Sequence, residues 1–316
     1  MTTFPNVQAW LDQDKVIILD GATGTELQRR GVPMHGFAWS AAALDTHPET
    51  IRAVHEDYIR AGADVIITNS FSTARHVLEP AGLGDRVRAL NQRAVALAQA
   101  ARENAANGRP VAIAGSISSF RADVTPAAQV EANYREQAQL LAEAGVNLIA
   151  LEMMYSVEQA TPAIRAALTT GLPIWVGFSC RVAGDGAVRL LDGSPFAAGL
   201  SQSLGLLAHL PFGGAAVTVM HTRTEHIAPA LEIVRHHWSG PTGVYAHSGE
   251  WIDPNWQFVD LISPEGYLTL AQQWVEMGAQ MIGGCCGIGP EYIRLLKERL
   301  RSSRPPTTDK RQPGVA

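Results

Sequence analysis

Two adjacent cysteines inside a run of glycines, Gly283-Gly284-Cys285-Cys286-Gly287, are the residues of this chain best suited to chemistry. Glycine lets the backbone turn tightly, so two neighbouring thiolates can face one soft cation. Zn2+ suits such a set: it takes four tetrahedral N or S ligands, and a catalytic zinc keeps one position open. Cysteine is also often a small buried hydrophobe, and a disulfide between neighbours is strained, so the metal reading depends on what else converges there. Two ligands are not enough. The third is expected from a neighbouring strand end, with His221 first and Cys180 and His247 as rivals.

The elements that must position these residues recur along the chain. Eight short apolar runs read as strands: VIILD (16–20), DVIITN (64–69), VAIAGS (111–116), NLIALE (147–152), IWVGFS (174–179), AAVTVM (215–220), TGVYAH (242–247) and QMIGGC (280–285). None alternates cleanly, as expected of strands buried on both faces. Between them, stretches such as 48–63 and 127–146 space apolar residues at three and four, the stripe of a helix lying on a sheet. RAGA, EAGV and EMGA each place a glycine where a helix would end before the next strand. Strand, helix and glycine repeated eight times predict an α/β fold, a (β/α)8 TIM barrel, over residues 1–301 as a single domain. Residues 302–316, rich in Pro, Thr and charge, are expected to be a disordered tail.

In such a barrel the C-terminal strand ends meet at one mouth, where catalysis is normally located. Here they read Asp20 with Gly21, Asn69 with Ser70, Ser116, Glu152, Cys180, His221, His247, and Cys285 with Cys286. Asp20 could receive a substrate ammonium; alternatively Asp20 or Thr23 could cap a helix through LQRR. Glu152 directly follows the apolar LIAL, and a carboxylate continuing a buried strand needs a cationic partner or a proton.

Composition narrows the partners. With 46% hydrophobic and 17% charged residues, the chain can bury a large core. Its net charge of -5 and lack of a basic cluster argue against nucleic acid, so a small molecule is the expected partner. No apolar stretch is long enough for a membrane span and the first residues do not read as a signal peptide, which predicts a cytoplasmic protein. Three cysteines make a poor disulfide framework. No GxGxxG or Walker pattern supports a nucleotide phosphate site.

The segments DGATGTEL (20–27), TNSF (68–71), LEMM (151–154), SGEW (248–251) and GGCCGIGPEYI (283–293) resemble the homocysteine S-methyltransferase family, in order and over most of the chain. The resemblance implies a zinc barrel in which homocysteine thiolate becomes a metal ligand and receives a methyl group from S-methylmethionine, betaine or a folate. It implies that Cys285 and Cys286 are zinc ligands, that Asp20, Gly21 and Glu152 hold the amino acid end of the acceptor, and that Asn69 lines the pocket. The full expected substrate set is Asp20, Gly21, Glu26, Asn69, Ser116, Glu152 and His247, with no catalytic side chain beyond the metal-activated thiol.

This chain departs from the family pattern at the third ligand. Met220 and His221 stand where the family has Asn-Cys, Ala246 and His247 where it has Pro-Asn, and Ser118 and Ser119 where it has Gly-Pro. Three thiolates give a zinc site a formal charge of -1, whereas two thiolates and an imidazole give zero. The resulting metal holds a thiolate more tightly and leaves it less nucleophilic. The expected function is therefore a zinc-dependent S-methyltransferase moving a methyl group from an onium or similar donor to homocysteine or a related thiol. A metal-dependent hydrolase and a non-catalytic metal- or ligand-binding homologue are the alternatives, and self-association is left open. Trp251, Trp256 and Phe258 could offer an aromatic surface to a methylated cation.

Overall fold

In a computed structural model, which describes residues 7–11, 15–207, 214–252 and 255–300, all eight expected runs form strands of one parallel sheet. They are β1 (Ile17–Ile18), β2 (Val65–Ile67), β3 (Ala112–Ser118), β4 (Leu148–Met154), β5 (Ile174–Phe178), β6 (Ala215–Arg223), β7 (Thr242–His247) and β8 (Met281–Gly284). Each strand pairs in parallel with its neighbour, and β8 pairs with β1. A bridge between Leu19 and Val65 joins β1 to β2, so the sheet closes into the barrel that the sequence repeat implied. The 302–316 tail lies outside the described residues.

Eight helices follow the eight strands: Pro48–Ala61, Val87–Ala105, Ala127–Glu143, Val157–Leu168, Phe196–Leu207, Thr224–His237, Pro264–Glu276 and Pro290–Leu300. The strands fail to alternate because both faces are covered. Ile18, Ile66, Ile113, Ile149, Val176, Val217, Val244 and Ile282 belong to the core shared with the helices. Their neighbours Ile17, Leu19, Val65, Ala112, Leu148, Trp175, Ala216 and Met281 fill the barrel interior, with Val7 and Leu11 of the Val7–Leu11 helix. The glycines expected to end helices do so in left-handed conformations, with φ of 107° at Gly62, 92° at Gly145 and 105° at Gly278.

Two features extend beyond the sequence reading. Strands β4 and β6 run past their expected ends through register shifts, between Leu151 and Met154 and between Met220 and Arg223. Bulges of this kind bend a strand and re-aim its side chains. Two short antiparallel hairpins also form at the mouth, Cys180–Val182 with Val188–Leu190 and Glu250–Ile252 with Asn255–Gln257. They are too short and too polar to leave a periodic signal. Among the described residues, no helix is long and apolar enough to cross a membrane.

Candidate active site

The β6 bulge and the end of β8 bring three ligand atoms together. His221 Nδ1 lies 3.5 Å from Cys285 Sγ and 3.8 Å from Cys286 Sγ, and the two sulfurs are 3.9 Å apart. Ligands around a tetrahedral Zn2+, at about 2.3 Å for sulfur and about 2.0 Å for nitrogen, stand roughly 3.5–3.8 Å from one another. The triangle therefore fits three corners of such a site. Among the described residues, His221, Cys285 and Cys286 form the group able to hold a metal, and Cys180 and His247 lie outside it.

Local backbone chemistry fixes the triangle. His221 has φ of 43°, a left-handed conformation costing a non-glycine residue roughly 1–2 kcal/mol, which turns its ring toward the cysteines. The Cys285 N–H donates to the Ala246 carbonyl at 2.8 Å, and the Ser248 N–H donates to the Cys286 carbonyl at 2.9 Å. Gly287, at φ of 82°, passes so close to Ser248 that a Cβ there would lie 2.0 Å from its carbonyl oxygen. Glycine is required at that turn. The hydrogen bond to the Cys286 sulfur, then burial, push the Cys285 thiol well above its usual range, while His221 opposes the rise. Adjacent thiolates hold their charge only beside a cation, as the donor chemistry of a soft-metal site demands.

Two carboxyl groups lie beside this triangle. Glu152 is buried and accepts a hydrogen bond from the Ser116 hydroxyl. Burial pushes its carboxyl up to about 7, against the opposing effects of Ser116, His221 and Tyr245. Asp20 is 1% exposed; one oxygen accepts from the Ile67 N–H at 2.8 Å, and the other has no hydrogen-bond partner. Burial raises its pKa well above the usual carboxylate range, and the charge of Glu152 adds to that. A buried acceptor left open next to a second carboxyl suits an ammonium group. The helix-cap reading of Asp20 and Thr23 does not hold: the helix Thr23–Arg29 begins after Ala22 and no side chain caps it.

A cavity of about 320 Å³ opens over these groups. Six of the expected residues line it: Gly21, Asn69, Glu152, His221, Cys285 and Cys286. Its wall includes Trp39, Phe71, Phe120, Trp251 and Trp256. Trp39 meets Phe71 and Trp251 edge to face, with ring centroids 5.8 and 6.3 Å apart. Of the anticipated aromatic surface, Trp251 and Trp256 line the cavity, whereas Phe258 lies under the Arg29 guanidinium at 5.0 Å.

The remaining expected residues sit elsewhere. Asp20 and Ser116 are buried outside the lining, Ser116 supporting Glu152. The Glu26 carboxylate is taken up by Arg29 and Arg30, at 3.2 and 3.0 Å, and does not line the cavity. The His247 ring stands beside His221 and lines a smaller pocket with Arg223 and Glu250. Cys180 is buried in the core beneath the helices, with its pKa raised by burial. Trp39, Phe71 and Phe120 were missed, although Phe71 directly follows the Asn69-Ser70 strand end and so was within reach of the sequence argument.

The homocysteine S-methyltransferase family model matches residues 17–300. A homocysteine S-methyltransferase of Bacillus subtilis, YbgG, is 33% identical over 94% of this chain and 98% of its own. A selenocysteine methyltransferase of Astragalus bisulcatus is 28% identical over 93% of this chain and 95% of its own. The crystal structure of the homocysteine methyltransferase MmuM from Escherichia coli, in a metallated form, superposes with a TM-score of 0.77 at 29% identity, covering 93% of this chain and 99% of that one. The chain is a thiol S-methyltransferase and belongs to the homocysteine S-methyltransferase family.

Proposed function

We propose that His221, Cys285 and Cys286 hold Zn2+, that the acceptor is homocysteine or a close amino acid analogue, and that the methyl donor is a compact onium compound. The observation that carries this reading is the triangle of ligand atoms opening into the same cavity as Glu152. Zinc bound there would lower the pKa of the acceptor thiol and keep it as a thiolate at neutral pH.

The protein's own residues do the rest. Glu152 receives the acceptor's ammonium, with Asp20 buried outside the lining as a second carboxyl, and the ammonium charge offsets the cost of burying the carboxylates. Thr68 and Asn69 border the acceptor; Asn69 is held rigid by Ser40, whose hydroxyl donates to its side-chain oxygen at 3.0 Å. The wall of Trp39, Phe71, Phe120 and Trp251 supports an onium donor, because aromatic faces attract a cation that has no hydrogen to donate. No lysine or arginine lines the cavity among the described residues, so an anionic folate would find no countercharge. The acceptor sulfur attacks the donor methyl carbon; the new S–C bond forms as the donor's bond to that methyl breaks, and its electron pair stays on the departing sulfur or nitrogen. Holding the two partners in line supplies much of the rate.

The test is metal content of the purified protein, wild type against His221→Ala and Cys285→Ala, with a methylation assay on homocysteine and S-methylmethionine. About one zinc per chain, lost in both variants together with activity, is expected. Zinc retained in both variants, or methyl transfer undiminished without metal, would refute the assignment.

A further inference from the structure

We infer that His247 is a positioning residue for His221, tying that ligand to the Cys285–Cys286 pair through the end of β7. This rests on the metal reading above. The end of β7 lies between the two halves of the triangle. On one side, Ala246 accepts from the Cys285 N–H and Ser248 donates to the Cys286 carbonyl, so the residues flanking His247 grip the cysteine backbone. On the other side, His247 pairs with Arg223 across the bulge that carries His221.

The rings complete the link. Those of His221 and His247 have centroids 4.8 Å apart, and Trp256 packs against both, at 5.9 and 5.3 Å. Trp256 is fixed in turn by its indole N–H, which donates to the Ser248 carbonyl at 3.2 Å. The His247 ring packs directly against His221 and Trp256. His221 needs such support, because its left-handed backbone is unfavourable for a residue with a Cβ and persists only where surroundings enforce it. Both rings occupy positions where the family pattern has other residues, so the two departures meet in a single contact.

Groups that orient a ligand from behind alter metal affinity by about 10- to 100-fold when removed. The experiment is titration of the metal-free protein with Zn2+ and Co2+ against a chromophoric chelator, for wild type, His247→Ala, His247→Asn and the exposed control His236→Ala. His247→Ala is expected to bind both metals at least about tenfold more weakly and to shift the visible Co2+ bands. Its metal-free form is expected to stay folded, and His236→Ala to bind as wild type does. If His247→Ala does not fold, His247→Asn carries the same expectation. Wild-type affinity and an unchanged Co2+ spectrum in the His247 variant that folds would overturn the inference while leaving the metal site standing. A wild-type protein that takes up neither metal would overturn both.

Discussion

In the proposed site, Glu152 couples acceptor recognition to stability. Its folded pKa of about 7 lies above the ordinary 4.5, so its contribution favours the folded chain fully below pH 4.5 and is lost as the pH rises through about 7. Ionising it in the empty protein costs roughly 3 kcal/mol at most. Metal-free Glu152→Gln is therefore expected to melt above wild type at about pH 8 and level with it at about pH 4. The same variant should bind the thiol acceptor about tenfold or more weakly, because a charged hydrogen bond to the ammonium is gone. Thermal melts at both pH values with isothermal titration of homocysteine check this; a gain in stability without a loss of acceptor binding would separate Glu152 from the substrate. Glu152 was legible in the sequence because a carboxylate ending an apolar run demands an explanation. Glu26 lies outside the cavity lining: the DGATGTEL segment does not reveal that Arg29 and Arg30, one helical turn on, pair with its carboxylate.

At the scale of elements, the strands were legible and their bulges were not. Apolar runs bounded by glycine give strand and helix order directly, whereas the register shifts at Met153 and His221 depend on left-handed backbone at residues whose types give no warning. His221 was expected at the site from its place after β6, but its approach to the cysteines comes from the bulge. The hairpin carrying Trp251 was equally hidden, although it closes one side of the cavity. Trp251 is 39% exposed and can be removed without opening the core. Trp251→Ala is expected to raise the KM for an onium donor about three- to thirtyfold, the worth of a partly desolvated cation–π contact, with the acceptor KM nearly unchanged. Steady-state kinetics with each substrate varied in turn decides the matter; equal effects on both would mean that Trp251 shapes the cavity without distinguishing the donor.

Across the whole molecule, the barrel separates stability from chemistry. At the N-terminal end of β2, Asp64 accepts from the Ile18 N–H at 3.0 Å and from Lys297 at 2.5 Å, tying the first strand to the last helix far along the chain. Asp64→Asn is expected to cost about 1–3 kcal/mol in chemical denaturation while kcat and both KM values stay as in wild type. A loss of activity without a loss of stability would show that the two ends of the barrel are coupled. At the opposite end, the His221–Cys285–Cys286 triangle, Glu152 and the aromatic wall share one cavity, where the proposed metal would meet the acceptor sulfur. Zinc-edge X-ray absorption of the loaded protein, with and without homocysteine, tests this most directly. Two sulfur ligands rising to three on adding the thiol is expected; a sulfur count that homocysteine leaves unchanged would show that the acceptor sulfur does not reach the metal.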